Sequence, residues 1–171
     1  MTSLVLTVIG PDKPGLVERL SHTIAQHEGN WLESGLSRLG GKFAGILVIQ
    51  VPDEQVTALH KALQDLQNSG LKIIAESADD QERATDLRPF TLELVGHDKP
   101  GIVREISQAL AQRHINVETL KTELVSGSMS AELLFKAEAH LLAPADFDMD
   151  ELQGAIEGIA SDLMVDITLN D

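Results

Sequence analysis

The chain has 171 residues, 43% of them hydrophobic and 23% charged, with a net charge of -14 at pH 7 and no cysteine. That length suits one domain or two small ones. The 27 acidic residues outnumber 13 basic ones, which argues against direct nucleic-acid binding, since that needs clustered Lys and Arg to displace counterions; without cysteine, disulfides and thiolate chemistry are excluded.

Aromatics make up only 3% and Trp31 is the single Trp, so any core must be aliphatic. No apolar run is long enough to span a membrane, and no secretory pattern precedes the first apolar segment. A cytoplasmic protein with no membrane association is expected.

Residues 3–9 alternate Leu, Val and Ile with smaller residues and predict a strand. Gly10-Pro11 stops it. Pro14 suits the first turn of a helix, where a missing N–H costs nothing, and Asp12 is placed to cap it. Leu16, Val17, Leu20 and Ile24 recur at helical spacing up to a stop at Gly29. Residues 30–39 predict a second strand with a bulge near Gly35. Gly40-Gly41 is a hairpin signal, and Phe43 to Val51 is a third strand. Glu54 to Asn68 carries Val56, Leu59, Leu63 and Leu66 on one helical face, and Leu71 to Ala75 is a fourth strand.

Residues 78–88 are polar and aperiodic and predict a linker between a domain at 1–77 and another at 89–171. The second half repeats the order. Strands are expected at Phe90 to Val95, Ile115 to Val125, Met129 to Leu141 and Leu163 to Leu169, with a turn at Gly127-Ser128. Helices are expected at Pro100 to Arg113 and Met149 to Ala160. Two β-α-β-β-α-β units predict an α+β chain of two ferredoxin-like domains, each an antiparallel sheet with helices on one face.

The halves are related by duplication. Gly10-Pro11-Asp12-Lys13-Pro14-Gly15 returns as Gly96-His97-Asp98-Lys99-Pro100-Gly101, and with residues 4–31 laid on 90–117 eleven of 28 positions are identical, Asn30 and Asn116 among them. A strand, then Gly-x-Asp-x-Pro-Gly-[Leu/Ile]-Val opening a helix, then Asn at the next strand, resembles the ACT domain, a small module that typically binds amino acids and regulates metabolic enzymes or transcription. The tandem arrangement is similar to the glycine cleavage system transcriptional repressor group. That resemblance implies a non-enzymatic regulator responding to a small amino acid such as glycine. It implies action through a transcription-activator protein rather than by direct contact with nucleic acid, with no cofactor. A homodimer is compatible with it.

The resemblance implies a ligand site between the first loop and the start of the second strand, often at an interface between two modules. In the first copy it would involve Asp12, Lys13, Gly15, Leu16 and Asn30; in the second, Asp98, Lys99, Gly101, Ile102 and Asn116. The chemistry is consistent. A helix N-terminus offers unpaired N–H groups to a carboxylate, glycine lets a ligand approach that backbone, Asp accepts from an ammonium, and Asn both donates and accepts. Structural roles compete at each position: Asp as a cap, Pro and Gly as shape residues, Asn as a turn former, Lys as a solvated surface group. The six histidines show no metal-ligand spacing, Asp146, Asp148, Asp150 and Glu151 read as an acidic helix start rather than a calcium loop, and no catalytic motif is visible. The alternative function is a protein-interaction scaffold with no small-molecule ligand.

Overall fold

The computed structural model describes residues 1–78, 86–127 and 132–171. They form two compact units, Met1–Gln81 and Glu82–Asp171. The first contains β1 (Thr2–Pro11), α1 (Leu16–Gln26), β2 (Asn30–Leu39), β3 (Lys42–Val51), α2 (Val56–Asp65) and β4 (Lys72–Ser77), with a 3₁₀ turn on each side of α2. The second contains β5 (Arg88–His97), α3 (Ile102–Gln112), β6 (Asn116–Ser126), β7 (Leu133–Ala143), α4 (Met149–Leu163) and β8 (Val165–Asn170). All the pairings are antiparallel, in the orders β2-β3-β1-β4 and β6-β7-β5-β8. These are two ferredoxin-like sheets. Most of the expected linker lies outside the described residues, as do Ser128 and the expected strand positions Met129 to Ala131; Arg88 belongs to β5.

Each sheet buries one face. Leu4, Leu6 and Val8 of β1 alternate into a core with Leu47, Ile49 and Val51 of β3, covered by Leu16, Leu20 and Ile24 of α1 and by Leu59 and Leu63 of α2. The second core repeats the design with Phe90, Leu92, Leu94, Ile102, Ile106, Leu110, Leu141, Leu152 and Ile156. Phe90 also stacks on Phe147 with ring centroids 5.5 Å apart. Val17 and Val103, expected on the inner helix faces, are instead 45% and 42% exposed. They lie one residue after Leu16 and Ile102, about 100° around the helix.

Helix starts also differ from expectation. α1 begins at Leu16 because Gly15 has φ 90°, so Pro14 stands in the turn before the helix. At the other end the left-handed residue is Glu28 (φ 58°), and His114 (φ 57°) repeats it. Gly29 serves a different need. A Cβ there would come within 2.6 Å of Ile24 Cγ2, and its N–H closes the helix end by donating to the Ile24 carbonyl at 2.9 Å.

The bulge in β2 lies at Leu32, between Trp31 and Glu33, not at Gly35, which stands in regular register opposite Ile46. The reason is parity. Trp31 opposes Ile49 and Ser34 opposes Leu47, so both face the helices although three residues apart, and a period-two strand needs one extra residue to permit that. β6 has the same irregularity between Val117 and Thr119. At the start of α4, the Asp148 side chain accepts from the N–H groups of Asp150 and Glu151 at 3.0 and 3.4 Å, which gives the acidic stretch a capping role. Near the 3₁₀ turn before α2, Asp53 accepts from the Thr2 hydroxyl at 2.6 Å and stands 3.2 Å from the N-terminal ammonium. Those two contacts hold its carboxyl below the ordinary range.

Candidate functional site

The loop after β1 is built by its glycines. Gly10 lies in the strand and is buried. Gly15 occupies the N-cap of α1 in the left-handed region, and its carbonyl accepts the first helical hydrogen bond, from the Arg19 N–H at 3.0 Å. No side chain caps α1, which corrects the capping role considered for Asp12. Asp12 instead lies 3.4 Å from the Arg38 guanidinium, on β2, and its backbone N–H donates to the Gly41 carbonyl at 3.2 Å. Nothing stands within 4 Å of where a Gly15 Cβ would be. Beside the first turn lies an open depression of about 320 Å³, lined by Asp12, Lys13, Pro14, Gly15, Glu18 and Phe43 among others.

The second loop repeats the backbone and changes the surroundings. Gly101 has φ 92° with no side-chain cap on α3, and its carbonyl accepts from the Glu105 N–H at 3.0 Å. Asp98 is exposed, and its N–H donates to the Leu133 carbonyl at 3.3 Å. His97 Nδ1 lies 3.1 Å from a Glu132 carboxylate oxygen. The adjoining depression, about 280 Å³, is lined by Pro100, Gly101, Glu105, Ile159, Asp162 and Leu163, so it opens toward α4.

The two lysines are not equivalent. Lys13 is exposed. Lys99 is half-buried, and its ammonium donates to the Leu163 carbonyl at the end of α4, 2.8 Å away. The sequence offered no signal for that contact, because the partner lies 64 residues downstream. Replacing Lys99 by Met is expected to lower stability by about 1–2 kcal/mol, since a charge-assisted bond to a partly buried carbonyl is lost. Lys13→Met should stay within about 0.5 kcal/mol. Urea unfolding of the two variants measures the contrast.

Leu16 and Ile102 are each 3% exposed. Their side chains belong to the core, and only their backbone can meet a ligand. Asn30 and Asn116 are exposed at the first positions of β2 and β6. They are far from the loops of their own modules. Asn30 opposes Gln50, which opposes Ser3, whereas Pro11 opposes Lys42 at the other end of the same ladder. Asn116 opposes Leu142, whereas His97 opposes Leu134. Eight residues of β3 or β7 separate the two levels, roughly 25 Å at strand rise. The structure thus gathers Asp, Lys and Gly at one end of each sheet and leaves Asn at the opposite end.

Comparison with known proteins fits this architecture. A family model described as the ACT domain matches residues 2–75 and again 88–169. The glycine cleavage system transcriptional repressor of Escherichia coli (strain K12) is 22% identical over 171 residues, covering 98% of this chain and 88% of that protein. Among solved structures, a protein of unknown function from Galdieria sulphuraria superposes with a TM-score of 0.85 at 26% identity, over 99% of this chain and 97% of that one. A candidate glycine cleavage system transcriptional repressor superposes with a TM-score of 0.70 at 20% identity, over 99% and 96% of the two chains. No helix among the described residues is long and apolar enough to cross a membrane.

Proposed function

The chain belongs to the ACT-domain family, and from that premise we propose that it is a non-enzymatic, amino-acid-responsive regulator acting on transcription through a protein partner. The observation that carries the reading is the helix N-terminus built twice, each time behind a left-handed glycine, without a side-chain cap and beside an acidic group. Unpaired N–H groups and the positive end of a helix suit a carboxylate. Asp12 with Glu18, and Asp98 with Glu105, suit an ammonium. Both charges together describe the zwitterion of a free amino acid. Glycine is the first ligand to test, because the Escherichia coli relative is named for repression of the glycine cleavage system. The charge of -14 disfavours contact with phosphate backbones, so a DNA-binding activator protein is the fitting partner.

Titration calorimetry of the full chain with glycine and with the other amino acids tests the sensing half. Binding is expected, weakened about tenfold or more in the Asp12→Asn/Asp98→Asn double variant, as loss of a charge-assisted hydrogen bond implies. No heat with any amino acid, at concentrations able to detect millimolar binding, would sink it. For the partner half, the chain should leave free DNA unshifted in a gel and retard only DNA carrying an activator.

A second reading, an interaction scaffold without a ligand, draws on the engagement of Asp12 by Arg38 and the distance from loop to Asn within each module. It predicts that Asn30→Ala and Asn116→Ala change stability and leave regulation intact.

A further inference from the structure

Both helices of the first unit cover one face of its sheet, and the ladders fix what the other face carries. Its middle row runs Gly35, Ile46, Thr7 and Ile74 from β2 across to β4. The row on one side is Glu33, Val48, Val5 and Glu76; the row on the other is Ser37, Ala44, Ile9 and Lys72. Ile9, Ile46 and Ile74 are 43%, 56% and 59% exposed. The second sheet builds the same face on the same ladders with the opposite chemistry. At the places of Ala44, Ile46 and Val48 it has Lys136, Glu138 and His140, and at the place of Ile74 it has Thr168. Both modules keep an aliphatic core, so the fold does not require an apolar open face.

Four strands about 4.8 Å apart, with about five residues each, cover roughly 320 Å² in projection. A contiguous apolar patch of that size marks a surface that meets another protein. Charge is divided between its ends. Glu33 and Glu76 bound one row, and Lys72 bounds the other, with Lys42 one row further on opposite Pro11.

We propose that this face packs against the same face of a second copy of the chain, about a two-fold axis that runs along the middle row, across the strands. Sheets stacked face to face lie about 10 Å apart with their strands roughly aligned, which leaves two ways to place the axis. With the axis across the strands, β4 lies over β4 and the outer rows exchange. Glu76 then faces Lys72 of the second copy, and Lys72 faces Glu76 of the second copy. Val5 meets Ile9, Val48 meets Ala44, and Ile46 and Ile74 each meet themselves. With the axis along the strands, β2 lies over β4, and Glu33 faces Glu76 of the second copy at both ends. Juxtaposed like charges disfavour that arrangement, so the charges select the first. Two copies, with the relief of their side chains included, approach the roughly 1,000 Å² at which specific interfaces begin. The association is therefore weak and depends on concentration. It rests on the open face alone and stands whether or not an amino acid binds.

Sedimentation of the full-length protein without ligand tests the pairing. With rising concentration the wild type should reach at least twice the 18.5 kDa chain mass. Ile46→Lys should halve the mass reached while keeping the wild-type circular dichroism spectrum, since Ile46 lies outside the core. Lys72→Glu and Glu76→Lys should each weaken association by about tenfold, and the double exchange should restore it. Glu76→Lys also separates the two axes, because it would strengthen an arrangement in which Glu76 faces Glu33. A wild type that stays at 18.5 kDa overturns the proposal and leaves the face to another occupant. An assembly that Ile46→Lys leaves intact, a stronger association in Glu76→Lys, or a double exchange that restores nothing overturns it as well.

Discussion

Gly45→Ala is expected to destabilise the first module by about 3 kcal/mol, at the upper end of the range for forcing a methyl group into packed structure. A Cβ at Gly45 would lie 2.1 Å from the Gly35 carbonyl oxygen, 2.6 Å from Leu36 Cδ2 and 2.7 Å from Leu36 Cα. The Leu36 methyl can rotate aside, but the other two atoms are backbone. Only a local separation of β2 from β3 relieves them, and that sacrifices ladder hydrogen bonds along with the packing of Leu36. The second module provides the control. Gly45 opposes Val8 and Leu36, and in the matching register Ala137 opposes Leu94 and Thr122. There the strands already accommodate a methyl group, so Ala137→Gly should cost only about 0.5–1 kcal/mol in backbone entropy. Trp31 is the single Trp and packs against the first core, so urea unfolding followed by its fluorescence reports that module alone. A loss below about 1 kcal/mol would mean that β2 does not approach β3 this closely.

Much of this arrangement was legible in the residues. Alternation placed the first strand, apolar runs between turn residues marked the others, and helical spacing placed Leu20, Ile24, Leu59 and Leu63 in the first core. What escaped has physical reasons. Whether Asp12 caps α1 or pairs with Arg38 depends on which group is nearer, and the chemistry of an Asp before a helix permits either. The bulge was sought at a glycine, whereas the deciding signal was the odd spacing between Trp31 and Ser34, both of which face the helices. The partner of Lys99 is a backbone carbonyl, which no residue type advertises. For the site, the repeated motif identified the loops and the Asn positions. Their separation within a module follows from strand direction, because β2 starts at the end of the sheet away from the loop that precedes α1. Spacing along the chain does not show that α1 returns the chain across the full length of the sheet.

Gly96→Ala is the second large expected effect, and it joins the fold to the loop. Gly96 needs no unusual φ; its constraint is contact. A Cβ would meet Val165 Cγ1 at 2.3 Å, Val165 Cβ at 2.7 Å and Val165 Cα at 2.9 Å. β8 would have to move away from β5, at a cost of about 2 kcal/mol. Gly10 is the counterpart in the first module, and there a Cβ would meet the end of the Leu71 side chain at 3.0 Å and the Gly70 carbonyl at 3.2 Å, so Gly10→Ala should be milder. Val165 is 6% exposed, and Val165→Ala alone should cost about 1–2 kcal/mol through the space it leaves. In the double variant the two changes compensate in part, because Val165→Ala removes the Cγ1 contact and keeps those of Cβ and Cα. The sum of the single losses should exceed the double loss by about 1 kcal/mol, as expected for residues in direct contact. The displacement also reaches the candidate site, because Lys99 is tied to Leu163, two residues before Val165. Gly96→Ala should therefore weaken amino-acid binding at the second loop and leave the first loop unaffected, and Val165→Ala should restore part of that binding. Additive stability losses, with binding unchanged in Gly96→Ala, would separate the loop from β8 and remove the mechanical link between them.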